Sequence, residues 1–189
     1  MDTAGFRRAH VAGSSLGGWT ALELARRGRA LSVVALSPAG GWPDGDRRVR
    51  RIFVGTDRLM RTSRPLLRLT MRSRIVRRVG FRYVAARGDR LTRDAALVAI
   101  EGALNADLLG PGHAIFDQAC TELEDPGVPI LMAWGEKDRL LTAARYSERW
   151  RRAVPGAEWR VLPGVGHLPM YDDPDLVAAT ITDWAAAAG

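Results

Sequence analysis

The chain has 189 residues, of which 47% are hydrophobic and 26% charged, and this composition excludes disordered, collagen-like and coiled-coil proteins. It carries 28 Lys and Arg residues against 21 Asp and Glu residues, so its formal net charge is +7. One cysteine, Cys120, excludes an internal disulfide and a multi-cysteine metal site, and we expect it to fill an apolar position. Because there is no long apolar stretch and no signal-peptide pattern at the N-terminus, we predict a cytoplasmic protein.

Strands and helices are predicted to alternate along the chain. Three short runs that are mostly apolar are typical of strands buried on both faces of a parallel sheet. Between the second and third strands the sequence indicates helices, with breaks near Pro65, Gly80, Gly88 and residues 110–112. The pattern predicts an α/β fold with a mostly parallel sheet of about four strands, helices on both faces and a helical insert. The strands are predicted over 8–12, 30–36, 129–134 and 158–162, and the flanking helices over 17–29, 143–154 and 174–188.

Most of the positive charge lies in the helical insert. Residues 47–93 contain 16 arginines and two aspartates, a net charge of +14, whereas the remaining residues carry a net charge of −7. A nucleic-acid partner is not expected, because the aromatic residues that stack on single-stranded bases are sparse in this segment. A solvated basic surface explains the charge most simply, and contact with an anionic surface or an acidic ligand is the alternative.

A stripe of arginines at helical spacing leaves two interpretations open. Met60, Leu67 and Met71 lie beside the stripe, so it could attach the insert to an anionic membrane surface. Packing of this helix against the core explains the same pattern and is preferred, so we do not expect a membrane partner. The stripe consists of Arg61, Arg64, Arg68 and Arg72.

A candidate nucleophile follows the first predicted strand. Residues 13–18 read Gly-Ser-Ser-Leu-Gly-Gly and fit the pattern G-x-S-x-G with Ser15 at the centre, in the strand–turn–helix context that this motif requires. The tight turn needs small residues at Gly13 and Gly17, and it directs the Leu16 N–H at a developing oxyanion. Ser14 is a poorer candidate, because choosing it would lose the glycine frame.

A serine nucleophile needs a base, and the chain has three histidines. His10 lies inside the first strand and His113 at a predicted helix start, so structural roles are expected for both. His167 follows the last predicted strand in a glycine-containing loop, and α/β active sites gather at the carboxyl ends of strands. We therefore predict that His167 is the base.

The histidine in turn needs an acid to orient it. Asp138 follows the buried strand 129–134, and the order Ser15, Asp138, His167 is the one that this arrangement uses. Glu136 on the same loop is an alternative acid. Asp44 and Asp46, after the second strand, are the others.

Three segments together resemble the α/β-hydrolase superfamily in its single-domain form with a helical cap. They are AHVAGSSLGGWTALELARRG at the nucleophile turn, AWGEKDRLLT at the acid loop and LPGVGHLPMYDDPD at the histidine loop. The resemblance implies a hydrolase core formed by residues 1–43 and 111–189, with residues 44–110 as an arginine-rich cap.

The N-terminus departs from the family pattern. In the family, four strands and two helices precede the nucleophile, whereas only 14 residues precede Ser15. The chain is therefore expected to form the C-terminal part of the fold, with strand 8–12 as an exposed edge that could pair two copies of the chain. The loop that would supply a second oxyanion donor is likewise expected to be absent, and losing one donor costs ~100- to 1000-fold in kcat.

These residues predict a serine hydrolase that cleaves an ester-like bond of a small molecule through an acyl-enzyme. The resemblance implies that epoxide hydrolases and haloalkane dehalogenases use aspartate as the nucleophile, so Ser15 argues against both. Esters, lactones, thioesters and activated C–C bonds stay open. No metal and no organic cofactor are expected, because ligand clusters and phosphate loops are lacking. The alternative is a truncated, non-catalytic hydrolase that serves as a binding or interaction module or is a nonfunctional remnant.

Overall fold

A computed structural model describes residues 1–106, 114–121, 123 and 127–189. Four strands form one sheet in chain order, and every neighbouring pair is parallel. The strands are β1 (Ala9–Ser14), β2 (Ala30–Leu36), β3 (Ile130–Gly135) and β4 (Glu158–Leu162). The α-helices of the described residues are α1 (Leu16–Arg26), α2 (Arg48–Thr70), α3 (Arg74–Gly80), α4 (Arg93–Asn105), α5 (Ala143–Ala153) and α6 (Pro174–Ala187).

Helices cover both faces of the sheet, as predicted. Successive side chains of β2 and β3 point to opposite faces. Val33 and Met132 pack with α1 and α5 in one apolar cluster, whereas Val34 and Leu131 pack with α6 in another. The partial α/β-hydrolase architecture expected from the sequence is therefore present.

The last strand is not buried on both faces, which corrects the prediction for residues 158–162. β4 is an edge strand that pairs with β3, and Val161 is 62% exposed. Its alternating polar residues face solvent, while Trp159 stacks on Trp134 with ring centroids 5.9 Å apart. At the opposite edge, β1 pairs with β2 alone among the described residues.

The N-terminal elements shift by a few residues from their predicted bounds. β1 extends to Ser14 because it pairs with β2 as far as Leu36. α1 begins at Leu16 and ends at Arg26, just before Gly28, a stop that the sequence predicts and whose φ is left-handed at +66°. β1 ends at Ser14 and α1 begins at Leu16, so Ser15 lies directly between the two elements.

The insert has an apolar cluster of its own. Leu67 on α2 and Met71, its C-cap, pack with Phe81, Ile100 and other side chains of residues 67–104. The apolar residues beside the arginine stripe therefore pack inward, whereas the four arginines of the stripe are exposed. The break predicted near residues 110–112 lies outside the described residues, whereas α2 continues through Pro65, where a break was also predicted. We attribute this continuity to anchoring on both sides, because the first turns of α2 pack on the main core and its last turns pack in this cluster.

Candidate active site

Ser15 occupies a strained turn between β1 and α1. Its φ is +56° and its ψ is −116°, a conformation that costs a residue with a side chain about 1–3 kcal/mol. Ser15 stands at the N-cap of α1, yet its hydroxyl does not cap the helix. The hydroxyl is therefore available for chemistry instead of being used in a helix cap.

Close packing of glycine backbones makes this turn possible. A Cβ on Gly13 would lie 2.2 Å from the carbonyl carbon and oxygen of Gly17, and a Cβ on Gly18 would lie 3.2 Å from the Cβ of Pro38. A Cβ on Gly17 would meet nothing within 4 Å. The expectation that Gly17 must be small is therefore wrong, and the steric requirement falls on Gly13 and Gly18.

The backbone of the turn is fixed by three hydrogen bonds. The Ser15 N–H donates to the Leu36 carbonyl at 2.9 Å, and the Ser15 carbonyl accepts from Trp19 at 3.1 Å and from Ala39 at 2.9 Å. Leu16 is the first residue of α1, so its N–H has no acceptor within the helix. That N–H and the positive end of the helix dipole can both stabilise a negative charge.

Asp138 and His167 form a buried hydrogen-bonded pair. The His167 Nδ1 donates to the Asp138 Oδ2 at 2.8 Å, and the two side chains are 2% and 0% exposed. The other carboxylate oxygen accepts from the backbone N–H groups of Leu140 at 2.9 Å and Leu141 at 2.8 Å. With Nδ1 protonated, the imidazole keeps Nε2 as its basic nitrogen.

The serine turn and the histidine loop lie side by side. The Ser14 hydroxyl is 3.5 Å from the His167 carbonyl oxygen. A Cβ on Gly135, at the end of β3, would lie 2.2 Å from the Gly166 carbonyl oxygen, so the acid and histidine loops are also in close contact. The structure thus brings Asp138 and His167 together and places their loop against the turn of Ser15, while no hydrogen bond joins the Ser15 hydroxyl to His167.

The alternative residues His10 and Glu136 each have a hydrogen-bond partner other than His167. His10 makes a 2.8 Å hydrogen bond with the hydroxyl of buried Ser32. His113 lies outside the described residues. The Glu136 carboxylate accepts from the Gly164 N–H at 2.7 Å, so it supports the turn that precedes the histidine loop.

The two aspartates after β2 are bound to α5. Asp44 pairs with Arg149, while Asp46 accepts from Arg145 at 2.9 Å and from the Tyr146 hydroxyl at 2.8 Å. Burial is the largest influence on the pKa of Asp46 and raises it, but the bonds from Arg145, a backbone N–H and Tyr146 together hold the pKa below its ordinary value. Neither aspartate is bonded to His167.

Sequence reasoning missed one residue that organises the site. The Asp172 carboxylate accepts three backbone N–H groups, from Ala86 at 2.9 Å, Arg87 at 2.7 Å and Gly166 at 2.8 Å. It therefore joins the insert to the residue that precedes His167. The one feature of the sequence that could have indicated Asp172 is its position five residues after His167.

The sequence profile of the family described as "Alpha/beta hydrolase family" matches residues 2–180 of the chain. The chain belongs to this family. A curated relative, "Epoxide hydrolase EphH" of Mycobacterium tuberculosis, is 30% identical over 195 residues that cover 97% of this chain and 89% of that protein.

Solved structures agree with the fold of this family member. The naproxen esterase (carboxylesterase NP) from Bacillus subtilis superposes with a TM-score of 0.71 at 20% identity, covering 96% of this chain and 61% of the esterase. The meta-cleavage product hydrolase CumD from Pseudomonas fluorescens superposes with a TM-score of 0.70 at 17% identity, covering 100% of this chain and 68% of CumD. The chain thus spans about two thirds of the length of these structures.

Proposed function

We infer that the chain is a serine hydrolase that cleaves an ester-like bond, with Ser15 as nucleophile, His167 as base and Asp138 as the acid that orients it. One observation carries this proposal. A serine in a strained conformation, with its hydroxyl unused by the helix it precedes, lies next to the loop of a buried histidine–aspartate pair. Strain at such a turn is tolerated where it serves a site.

The reaction uses these side chains in two balanced halves. The Ser15 oxygen bonds to the carbonyl carbon while the His167 Nε2 takes the serine proton, and the Leu16 N–H donates to the oxyanion. The bond to the leaving group then breaks, and His167 returns the proton to it. Water attacks the carbonyl carbon of the resulting acyl-Ser15 and gives a proton to His167. The bond between that carbon and the Ser15 oxygen then breaks, His167 returns the proton to the Ser15 oxygen, and the acid product leaves. Asp138 stabilises the charged imidazole in both halves.

Epoxide hydrolysis is the second candidate, favoured by the mycobacterial relative. The chemistry of Ser15 argues against it. A carboxylate that opens an epoxide forms an ester, which water can hydrolyse at its carbonyl carbon. A serine that opens an epoxide forms an ether, which has no carbonyl carbon for water to attack, so the enzyme would be blocked after one turnover.

The test compares ester and epoxide hydrolysis in three proteins: the unchanged chain, Ser15→Ala and Ser14→Ala. Ser14→Ala is the matched control, because it removes a hydroxyl from the adjacent residue. We expect turnover of p-nitrophenyl butyrate by the unchanged chain and by Ser14→Ala, with a loss of at least ~1000-fold in Ser15→Ala. Ester turnover that survives in folded Ser15→Ala would contradict the assigned nucleophile.

The same assay separates the remaining alternatives. Turnover of styrene oxide, without ester turnover, would support the epoxide candidate and require a nucleophile other than Ser15. Folded protein without either activity would support the alternative of a non-catalytic interaction module.

A further inference from the structure

Exposed apolar side chains are concentrated on α2 and α3. The described residues include 13 large apolar side chains that are exposed, and seven of them lie between residues 54 and 79. Apolar side chains scattered singly over a surface need no explanation, but a concentration of this kind marks an interaction surface. Five of the seven are more than half exposed: Leu59, Leu66, Leu69, Ile75 and Val79.

These exposed side chains do not form the edge of the buried apolar cluster that contains Leu67 and Met71. Leu67 and Met71 point into that cluster from one face of α2. Leu59, Leu66 and Leu69 are separated by seven and three residues, so at 100° per residue they share a different face of the same helix. α2 therefore has one apolar face that packs inward and a second that faces outward.

Unpaired arginines lie in the same segment as the outward apolar side chains, and on α2 they follow the flank between its inward and outward apolar faces. Residues 54–79 contain eight arginines and one aspartate, a net charge of +7. Asp57 is already paired with Arg61 at 2.9 Å. Within the parts of the chain that the structure describes, six exposed arginines of this segment have no carboxylate within 4.0 Å: Arg58, Arg64, Arg68, Arg72, Arg74 and Arg78.

We propose that the exposed side chains of residues 54–79, on α2, α3 and the turn between them, form a surface that docks on an anionic lipid membrane. Exposed leucine, isoleucine and valine side chains match the acyl-chain boundary of a bilayer, and unpaired arginines match its anionic headgroups. Nucleic acid matches less well, because residues 54–79 contain no aromatic side chain to stack on bases. None of the helices in the described parts of the chain is both long and apolar enough to cross a bilayer, so the contact would lie along the surface.

The test measures co-sedimentation of the full chain with vesicles. Phosphatidylcholine vesicles are compared with vesicles containing 30 mol% phosphatidylglycerol, at 0.1 M and 0.5 M salt. We expect at least tenfold stronger partitioning onto the anionic vesicles and a marked loss at high salt, because higher ionic strength shortens the screening length. Equal or absent binding to both vesicle types would overturn the proposal.

Two triple variants test whether vesicle binding depends on the arginines of this surface. The triple variant Arg58→Gln, Arg74→Gln and Arg78→Gln removes three exposed, unpaired charges from this surface. The matched triple variant Arg7→Gln, Arg27→Gln and Arg139→Gln removes three exposed, unpaired charges elsewhere in the described residues. About fivefold is expected per arginine near the membrane, hence roughly 100-fold for the first triple and little for the second. Equal losses in both triples would contradict a localised surface.

A second comparison tests the contribution of the exposed apolar side chains to vesicle binding. The double variant Leu66→Ser and Leu69→Ser removes two exposed apolar side chains from the surface. The control Val98→Ser removes an apolar side chain on α4 that is 71% exposed. We expect at least tenfold weaker vesicle binding for the double variant and no change for Val98→Ser, with circular dichroism verifying the fold of each.

Two results would assign this surface to a partner other than a membrane. Self-association that depends on Leu66 and Leu69, without vesicle binding, would assign this face to a second copy of the chain. Binding of single-stranded DNA without binding of anionic vesicles would assign it to nucleic acid. Either result overturns the membrane proposal.

Discussion

Replacing Asp172 with alanine should loosen the connection between the insert and the histidine loop. The substitution removes the acceptor of the N–H groups of Ala86, Arg87 and Gly166. The Arg87 bond is exposed, so water can replace that acceptor, but the other two bonds are partly buried. At about 1–2 kcal/mol for each partly buried bond, the free energy of unfolding should fall by about 2–4 kcal/mol.

Thermal unfolding followed by circular dichroism measures this effect. For a chain of this size we expect a fall in Tm of roughly 4–16 °C for Asp172→Ala. Asp172→Asn should lose less, because its amide oxygen can still accept the bonds made by Oδ2. Asp175→Ala is the matched control, since it removes an exposed carboxylate from the first turn of α6. Equal Tm values for Asp172→Ala and Asp175→Ala would refute the reasoning.

Three further predictions concern Gly13, Asp46 and Cys120. Gly13→Ala should lower the free energy of unfolding, measured by urea titration, by about 3 kcal/mol or more, because its Cβ would lie 2.2 Å from backbone atoms. Gly17→Ala should leave the free energy of unfolding unchanged or raise it by up to ~1 kcal/mol, because its Cβ would meet nothing within 4 Å. Equal losses in the two variants would contradict the steric assignment. Asp46→Asn should be less stable than the unchanged chain at pH 7, because the lowered pKa of Asp46 stabilises the fold above the unfolded pKa of ~3.9. The difference should shrink as pH falls through the folded-state pKa, and a constant difference across that range would count against this linkage. Burial raises the pKa of Cys120 to about 11, although Arg149 opposes the shift, so iodoacetamide at pH 8 should modify the folded chain about 100-fold more slowly than the urea-unfolded chain. Equal rates would refute the burial argument.

The central strands and the positions of the candidate site residues were predictable because their signals are local. The uninterrupted apolar run of residues 30–36 predicts a strand covered on both faces, and all but one of its residues are buried. The hydrogen bond between Asp138 and His167 follows from placing both after neighbouring parallel strands, whose carboxyl ends meet at one edge of the sheet.

Other features depend on neighbours that the sequence pattern does not reveal. The exposure of β4 follows from its place at the sheet edge, which its own residues do not specify. Helix α2 passes through Pro65 because packing on both sides of the proline outweighs a local preference. Asp172 binds N–H groups 85 and 86 residues away, a contact that only the folded chain displays.

The assignment of Ser15 as nucleophile is the central claim, and covalent labelling tests it most directly. The folded chain is treated with a fluorophosphonate probe, and the labelled peptide is identified by mass spectrometry. We predict a single adduct on Ser15, formed in Ser14→Ala as well, absent in Ser15→Ala, and much slower to form in His167→Ala. Labelling of another residue, or of Ser15 at the same rate without His167, would contradict the assigned roles.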